Sequence, residues 1–259
     1  MRRIVVDKGA SGDNSRETAD NRHADSGRAN DGLLEGLQDI GAVVIGAGLE
    51  GGALAERLLD IGITPAIATS RPAAVLARDL AGTMPLSRAI DVADIALLPH
   101  NLPVFVAIPL SALHTIPPAA LAGKLVIDVM NFWPRLDEAT AFANAPRDTS
   151  LAVQEHLADS IVAKTMNHMA YSDISFDARP RSADYRRAQA VACDDPVARE
   201  RAARIVDALG FDAVDAGPLA NGRMFGPGTQ IFNGGWRTAE QITRILARRT
   251  DYPAAPYEF

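Results

Sequence analysis

The sequence predicts an α/β protein: a doubly wound parallel sheet, a smaller C-terminal α/β lobe and a disordered N-terminal tail. Three observations carry this expectation. Short apolar runs, nearly free of charge, recur between 42 and 164, as expected of strands buried on both faces of a parallel sheet. Helix-patterned stretches separate them, as crossover connections require. From 7 to 32 there is no Val, Ile, Leu, Met, Phe, Trp or Tyr, so that segment buries too little to offset the entropy of ordering.

Taken in order, the tail and a short helical lead-in at 33–38 occupy 1–39, and folded structure is expected to begin near Ile40. The first strand is the run at 42–45, followed by a glycine-rich turn and a helix over 51–59. A second strand at 65–69 and a helix at 72–80 follow. The β-branched run at 104–108 lies between Pro103 and Pro109, and the pattern repeats at 125–130. Thr149 or Ser150 can cap the next helix, ahead of a fifth strand at 161–164. These elements form a nucleotide-binding domain over 40–166. Beyond Asn167 the pattern changes, and 167–259 is expected to form the smaller lobe that completes a cleft. A loop rich in charge and proline (177–187) precedes a strand at 188–192. Asp195 then caps a helix with Pro196 in its first turn and Gly210 at its end, before a strand at 212–215.

Composition excludes several classes. Lys and Arg number 26 against 32 Asp and Glu in 259 residues, a formal net charge of −6. That argues against a mainly electrostatic nucleic-acid binder. The stretch 95–123 has no Asp, Glu, Lys or Arg, yet its five prolines would break a spanning helix, so no membrane segment is expected. The apolar run at 4–6 is too short for a signal peptide. One cysteine, Cys193, gives no internal disulfide, and the histidines show no metal-ligand spacing. No metal and a cytoplasmic location are therefore expected.

The chemical signal opens at Gly46-Ala47-Gly48-Leu49-Glu50-Gly51. Alone, such a motif is weak; between an apolar strand and a helix each glycine acquires a task. Gly46 allows a tight turn, Gly48 lets backbone amides approach a pyrophosphate, and Gly51 lets helix and strand pack closely. The bland alternative is a tight turn that binds nothing. A carboxylate beside a pyrophosphate would repel it, so Glu50 is expected to point outward to solvent. At the end of the second strand, where an NAD site carries an acid, the chain has Thr69-Ser70-Arg71 with no acid before Asp79. Two hydroxyls and a guanidinium suit a 2′-phosphate, so NADP(H) is the expected cofactor.

With these residues in view, the chain resembles the NADPH-dependent reductases of the deazaflavin coenzyme F-420 and the wider group of dinucleotide-binding oxidoreductases around them. The resemblance covers roughly 42–223. It is carried by the glycine loop, Thr69-Ser70-Arg71, Ala107-Ile108-Pro109, the run from Val126 through Asn131-Phe132-Trp133-Pro134, Lys164-Thr165-Met166-Asn167-His168-Met169, and Asp215-Ala216-Gly217-Pro218-Leu219. It implies a Rossmann domain and a small C-terminal lobe, with coenzyme F-420 as co-substrate beside the nicotinamide, and a homodimer. Ile108, Pro109 and Asn131 would then border the cofactor. Phe132, Trp133, Asn167, His168, Met169 and Arg223 would meet the second substrate, Arg223 holding a phosphate of its tail.

Each of these also has an ordinary reading: His168 as a locally bonded loop histidine, the aromatics as core filling, Arg223 as a solvated surface group. His168 is the one candidate acid or base. Hydride transfer between rings needs placement more than proton chemistry, so no side chain is expected to be essential for the chemical step. Three functions remain open: hydride exchange between NADP(H) and a deazaflavin, NADPH-dependent reduction of an imine, ketone or flavin-like acceptor, and a non-catalytic NADPH-binding redox sensor.

Overall fold

The computed structural model describes residues 38–137, 149–233 and 235–248. The tail and nearly all of the lead-in at 33–38 lie outside the described residues. The elements that follow the glycine loop alternate as the apolar runs require. Strand β1 (Ile40–Ile45) leads through the loop to helix α1 (Leu49–Asp60), then β2 (Thr64–Ala68), α2 (Ala73–Thr83) and a short β3 (Arg88–Ala89). After a 3-10 turn come β4 (Val104–Val106), a second 3-10 turn (Leu110–Thr115), α3 (Pro118–Leu121), β5 (Leu125–Asp128) and α4 (Pro134–Asp137). The chain resumes with α5 (Thr149–His156), β6 (Ile161–Lys164) and α6 (Tyr171–Phe176). It continues through β7 (Ala188–Cys193), α7 (Pro196–Ala208), β8 (Asp212–Gly217), a 3-10 turn (Leu219–Met224), α8 (Gln230–Asn233) and α9 (Ala239–Ala247).

Among the described residues eight strands make one sheet in the order β3-β2-β1-β4-β5-β6-β7-β8. All neighbours run parallel except β6 and β7. The first six follow the Rossmann order, and the chain reverses direction across the sheet between β1 and β4. That switch point leaves a crevice at the strands' carboxyl ends. Val43, Val44 and Ile45 of β1 pair with Val104, Phe105 and Val106 of β4, and all six are buried. Helix α1 covers this face with Gly51, Leu54, Ala55 and Leu58, the i, i+3, i+4, i+7 stripe of an amphipathic helix.

Differences from the expected elements have local causes. Strand β3 has two residues, too few to show an alternation, and it makes 161–164 the sixth strand instead of the fifth. The strands expected at 104–108 and 125–130 stop at Val106 and Asp128 because the chain then turns away to form the crevice wall. Past β8, where no element was expected, α9 carries a capping box between Thr238 and Gln241. Its Ile242 and Ile245 join Ala188, Ala190, Val214, Phe225 and Ile231 in a core beneath β7 and β8. Asp195 caps α7 as expected, accepting from the Ala198 amide at 2.7 Å. Gly210 ends that helix at φ +102°, where an added Cβ would press on Ala178.

Candidate active site

The phosphate loop is built by exclusion of side chains. Gly46 has φ +114°, and a Cβ there would collide with the carbonyl oxygen of Ala107; a Cβ on Gly51 would collide with that of Gly46. Gly48 differs, because nothing lies within 4 Å of its notional Cβ. It faces open space as the N-cap of α1 with no side-chain cap, so the first-turn amides remain available to an anion. A cavity of about 450 Å³ opens there, lined by Gly46, Ala47, Gly48, Thr69, Ser70 and the turn after β4. Arg71 follows at its rim, exposed, with its guanidinium donating to the Asp79 carboxylate. Such a surface pair contributes little and opens readily to a better anion.

A second cavity, about 850 Å³, shares Gly48, Ala107, Ile108 and Pro109 with the first and extends over Asn131, Trp133, Asn167, His168 and Met169. Buried Asp137 fixes its aromatic side, accepting from the Trp133 amide at 2.8 Å and the Ser111 amide at 2.9 Å. The Trp133 ring meets Phe232 edge-on at 6.0 Å. Asn131 donates to the Asn167 carbonyl at 2.8 Å, and the Asn167 amide returns a bond to Asn131 Oδ1 at 2.9 Å. This reciprocal pair ties the end of β5 to the end of β6. Just before it, Met166 adopts φ +60°, a strained conformation for a non-glycine residue that turns the chain into the crevice.

His168 is buried, and its Nε2 accepts from the Ala190 amide at 2.9 Å. Burial first, then the Arg187 charge, pushes its pKa down to about 3. It is a neutral ring pinned to β7, which suits a wall or a contact and not a proton donor at neutral pH. Arg187 is itself held between Asp173 at 2.7 Å and Asp177 at 2.6 Å. Lys164 is buried against Asp128 at 3.3 Å and donates to the Met130 carbonyl, holding the end of β5 in place.

The expectation for Glu50 is overturned. Its side chain turns inward, bordering the second cavity, with Oε1 buried and without a hydrogen-bond partner. Side chains on a helix lean toward its N-terminus, and for Glu50 that direction is the crevice. Burial pushes its pKa up to about 7, so the group can sit there uncharged. Thr69, Ser70, Ile108, Pro109, Asn131, Trp133, Asn167, His168 and Met169 all reach one cavity or the other. Phe132 is buried outside both linings, and exposed Arg223 is in neither. The reading also missed Tyr171, Arg187 and Phe232. Arg187 lay in a loop read only as charged, and Phe232 stands in a stretch left unassigned.

The cavities fit a dinucleotide on the structure's own terms. Gly48 leaves the space a pyrophosphate would fill, the helix end supplies amides, and Asn167 Oδ1 is a buried acceptor with no partner. Fold and site together define a Rossmann-type sheet whose switch-point crevice fits a dinucleotide. Residues 42–132 match the family model described as NADP oxidoreductase coenzyme F420-dependent, which bears out the resemblance noted above over that segment. A protein of unassigned function from Sinorhizobium meliloti is 26% identical with a TM-score of 0.61, over 76% of this chain and 95% of that one. A proposed F420-dependent NADP reductase from Arthrobacter sp. FB24 is 23% identical with a TM-score of 0.57, over 71% and 87%; at that identity it shows the fold alone. An imine reductase from Myxococcus stipitatus in complex with NADP+ is 16% identical with a TM-score of 0.47, over 80% and 60%. No curated protein matches the chain. Among the described residues no helix is long and apolar enough to cross a membrane.

Proposed function

We propose that the protein transfers a hydride directly between NADP(H) and a deazaflavin coenzyme of the F-420 type. The observation that carries the reading is the continuity of the two cavities through Gly48, Ala107, Ile108 and Pro109. A dinucleotide held by the glycine loop in the smaller cavity reaches into the larger one, whose Trp133–Phe232 wall suits a flat ring. The match of 42–132 to the deazaflavin-dependent family model supports the choice of acceptor.

In this reading Gly46 to Gly51 accommodate the pyrophosphate, and Thr69, Ser70 and Arg71 take the 2′-phosphate. Asn131, Ile108 and Pro109, which line the larger cavity, would border the nicotinamide half. When bound, NADPH supplies the hydride. Trp133, Met169 and the neutral face of His168 exclude water and place the acceptor, while Asn167 offers its unpartnered oxygen to a donor on either ring. The segment from 167 onward acts as the lobe that closes the cleft.

We further place the protein in the cytoplasm, in keeping with its buried free thiol at Cys193, and as a homodimer, since Leu49, Leu136 and Tyr171 expose apolar surface at the cavity mouth. Sedimentation velocity checks the dimer. Anaerobic mixing of protein, NADPH and oxidised deazaflavin tests the function: bleaching of the deazaflavin's visible band, one equivalent per NADPH consumed, is expected. No bleaching alongside tight NADPH binding overturns the choice of acceptor.

A further inference from the structure

Glu50 stands on the phosphate loop but points away from phosphate duty. Its carboxyl enters the larger cavity from the first turn of α1, and Oε1 is buried there with no hydrogen-bond partner. Among the described residues, no positive charge beside this cavity is left uncommitted to hold it as an anion. Arg187 borders the same cavity but is committed to Asp173 and Asp177. Lys164 is committed to Asp128 and the Met130 carbonyl, and His168 is neutral. Tyr171 and Asp173, on the helix α6 that packs against α1, bring no positive charge. A dinucleotide in the adjoining cavity would bring further negative charge close by. Desolvation and like charge both favour the protonated form of a carboxyl group.

We propose that Glu50 is the acid of this site: it enters the NADPH complex protonated, taking up a proton as the cofactor binds at alkaline pH, and gives that proton to the acceptor. The second half rests on the reading of the chain as an NADPH-dependent reductase of a conjugated C=N acceptor. The balance is simple. The acceptor gains a hydride at carbon from the reduced cofactor, which leaves oxidised. The O–H bond of Glu50 breaks, an N–H bond forms on the acceptor, and solvent reprotonates the carboxylate. Before the cofactor binds, burial holds the carboxyl near pH 7, so at pH 8 most molecules carry an anion that binding must protonate.

Calorimetric titration of the full chain with NADPH at pH 8, in buffers of different ionisation enthalpy, is expected to show uptake approaching one proton per cofactor. The 2′-phosphate is already fully ionised at that pH and adds nothing. Affinity should fall by up to about tenfold per pH unit between pH 7 and 8.5. Glu50→Gln and Glu50→Leu should both abolish the uptake and flatten this dependence, with circular dichroism confirming the fold. Turnover of Glu50→Gln with the deazaflavin at pH 7 should drop by on the order of a hundredfold. Equal uptake in wild type and both variants overturns the proposal, as does Glu50→Gln turnover within about twofold of wild type. Uptake lost in the variants while the wild type reduces no deazaflavin upholds the assignment of Glu50 and defeats the choice of acceptor instead.

Discussion

Arg71 shows how a side chain can be legible in type and illegible in pose. Its position after Thr69-Ser70 marks it for a 2′-phosphate, yet the structure pairs it with Asp79 at the surface. The two views are compatible, because an exposed ion pair is worth at most about 1 kcal/mol and yields to a doubly charged phosphate. Arg71→Ala is therefore expected to weaken NADPH by about 2 kcal/mol, the loss of a charge-assisted hydrogen bond, and to leave NADH nearly unchanged. Asp79→Ala should act in the opposite direction, tightening NADPH a few-fold. Equal losses for both cofactors in Arg71→Ala, by titration calorimetry, would refute the assignment. His168 makes a second residue-scale prediction. Buried as a neutral ring, it holds its pKa at about 3 against an ordinary 6.5. The unfolded chain thus binds the extra proton first: the contribution is fully present above about pH 6.5 and is lost as pH falls toward 3. The slope is up to about 1.4 kcal/mol per pH unit. His168→Asn should flatten the fall of the urea midpoint across that window, whereas a slope like that of the wild type would mean the ring is not buried neutral. Glu50 marks the limit of residue-scale reading. Its identity was plain, but whether its carboxyl faced solvent or crevice depended on where the first turn of α1 meets the cavity, which local sequence does not mark.

At the scale of elements, the loop between β1 and α1 was the most legible part of the molecule. Glycines report backbone demands directly, and the three positions show three demands: a left-handed turn at Gly46, open space at Gly48, close packing at Gly51. Gly48→Val has room for its side chain in the protein alone, so it should fold normally. Its side chain would fill the space meant for the pyrophosphate, and binding of NADPH and NADH alike should be lost. Retained affinity in a variant with native circular dichroism would place the dinucleotide elsewhere. Strands β1, β2, β4, β5 and β6 were readable because burial on both faces leaves continuous apolar runs. The 3-10 turns and α6 were not, since six residues give no period to detect. Helix α9 was legible only at its start: its capping box is visible in Thr238 and Gln241, but its nine residues make too few turns for a firm period.

Across the whole molecule, one sheet carries both the crevice and its far wall. The Rossmann order of the first six strands sets the switch point, and the antiparallel step from β6 to β7 brings Ala190 under His168 and Arg187 beside the cavity. That step was illegible, because pairing direction depends on what the intervening loop allows and not on the strands' own residues. In the proposed reaction this crevice moves a hydride straight from the nicotinamide to the acceptor, with no exchange of that hydrogen with water. NADPH carrying deuterium at the transferable C4 position tests it most directly, with the product read by mass spectrometry after a single anaerobic turnover. One deuterium retained in the reduced deazaflavin and none in solvent, from one face of the nicotinamide only, is expected. Deuterium appearing in the water, or unlabelled product formed at the same rate, would contradict it.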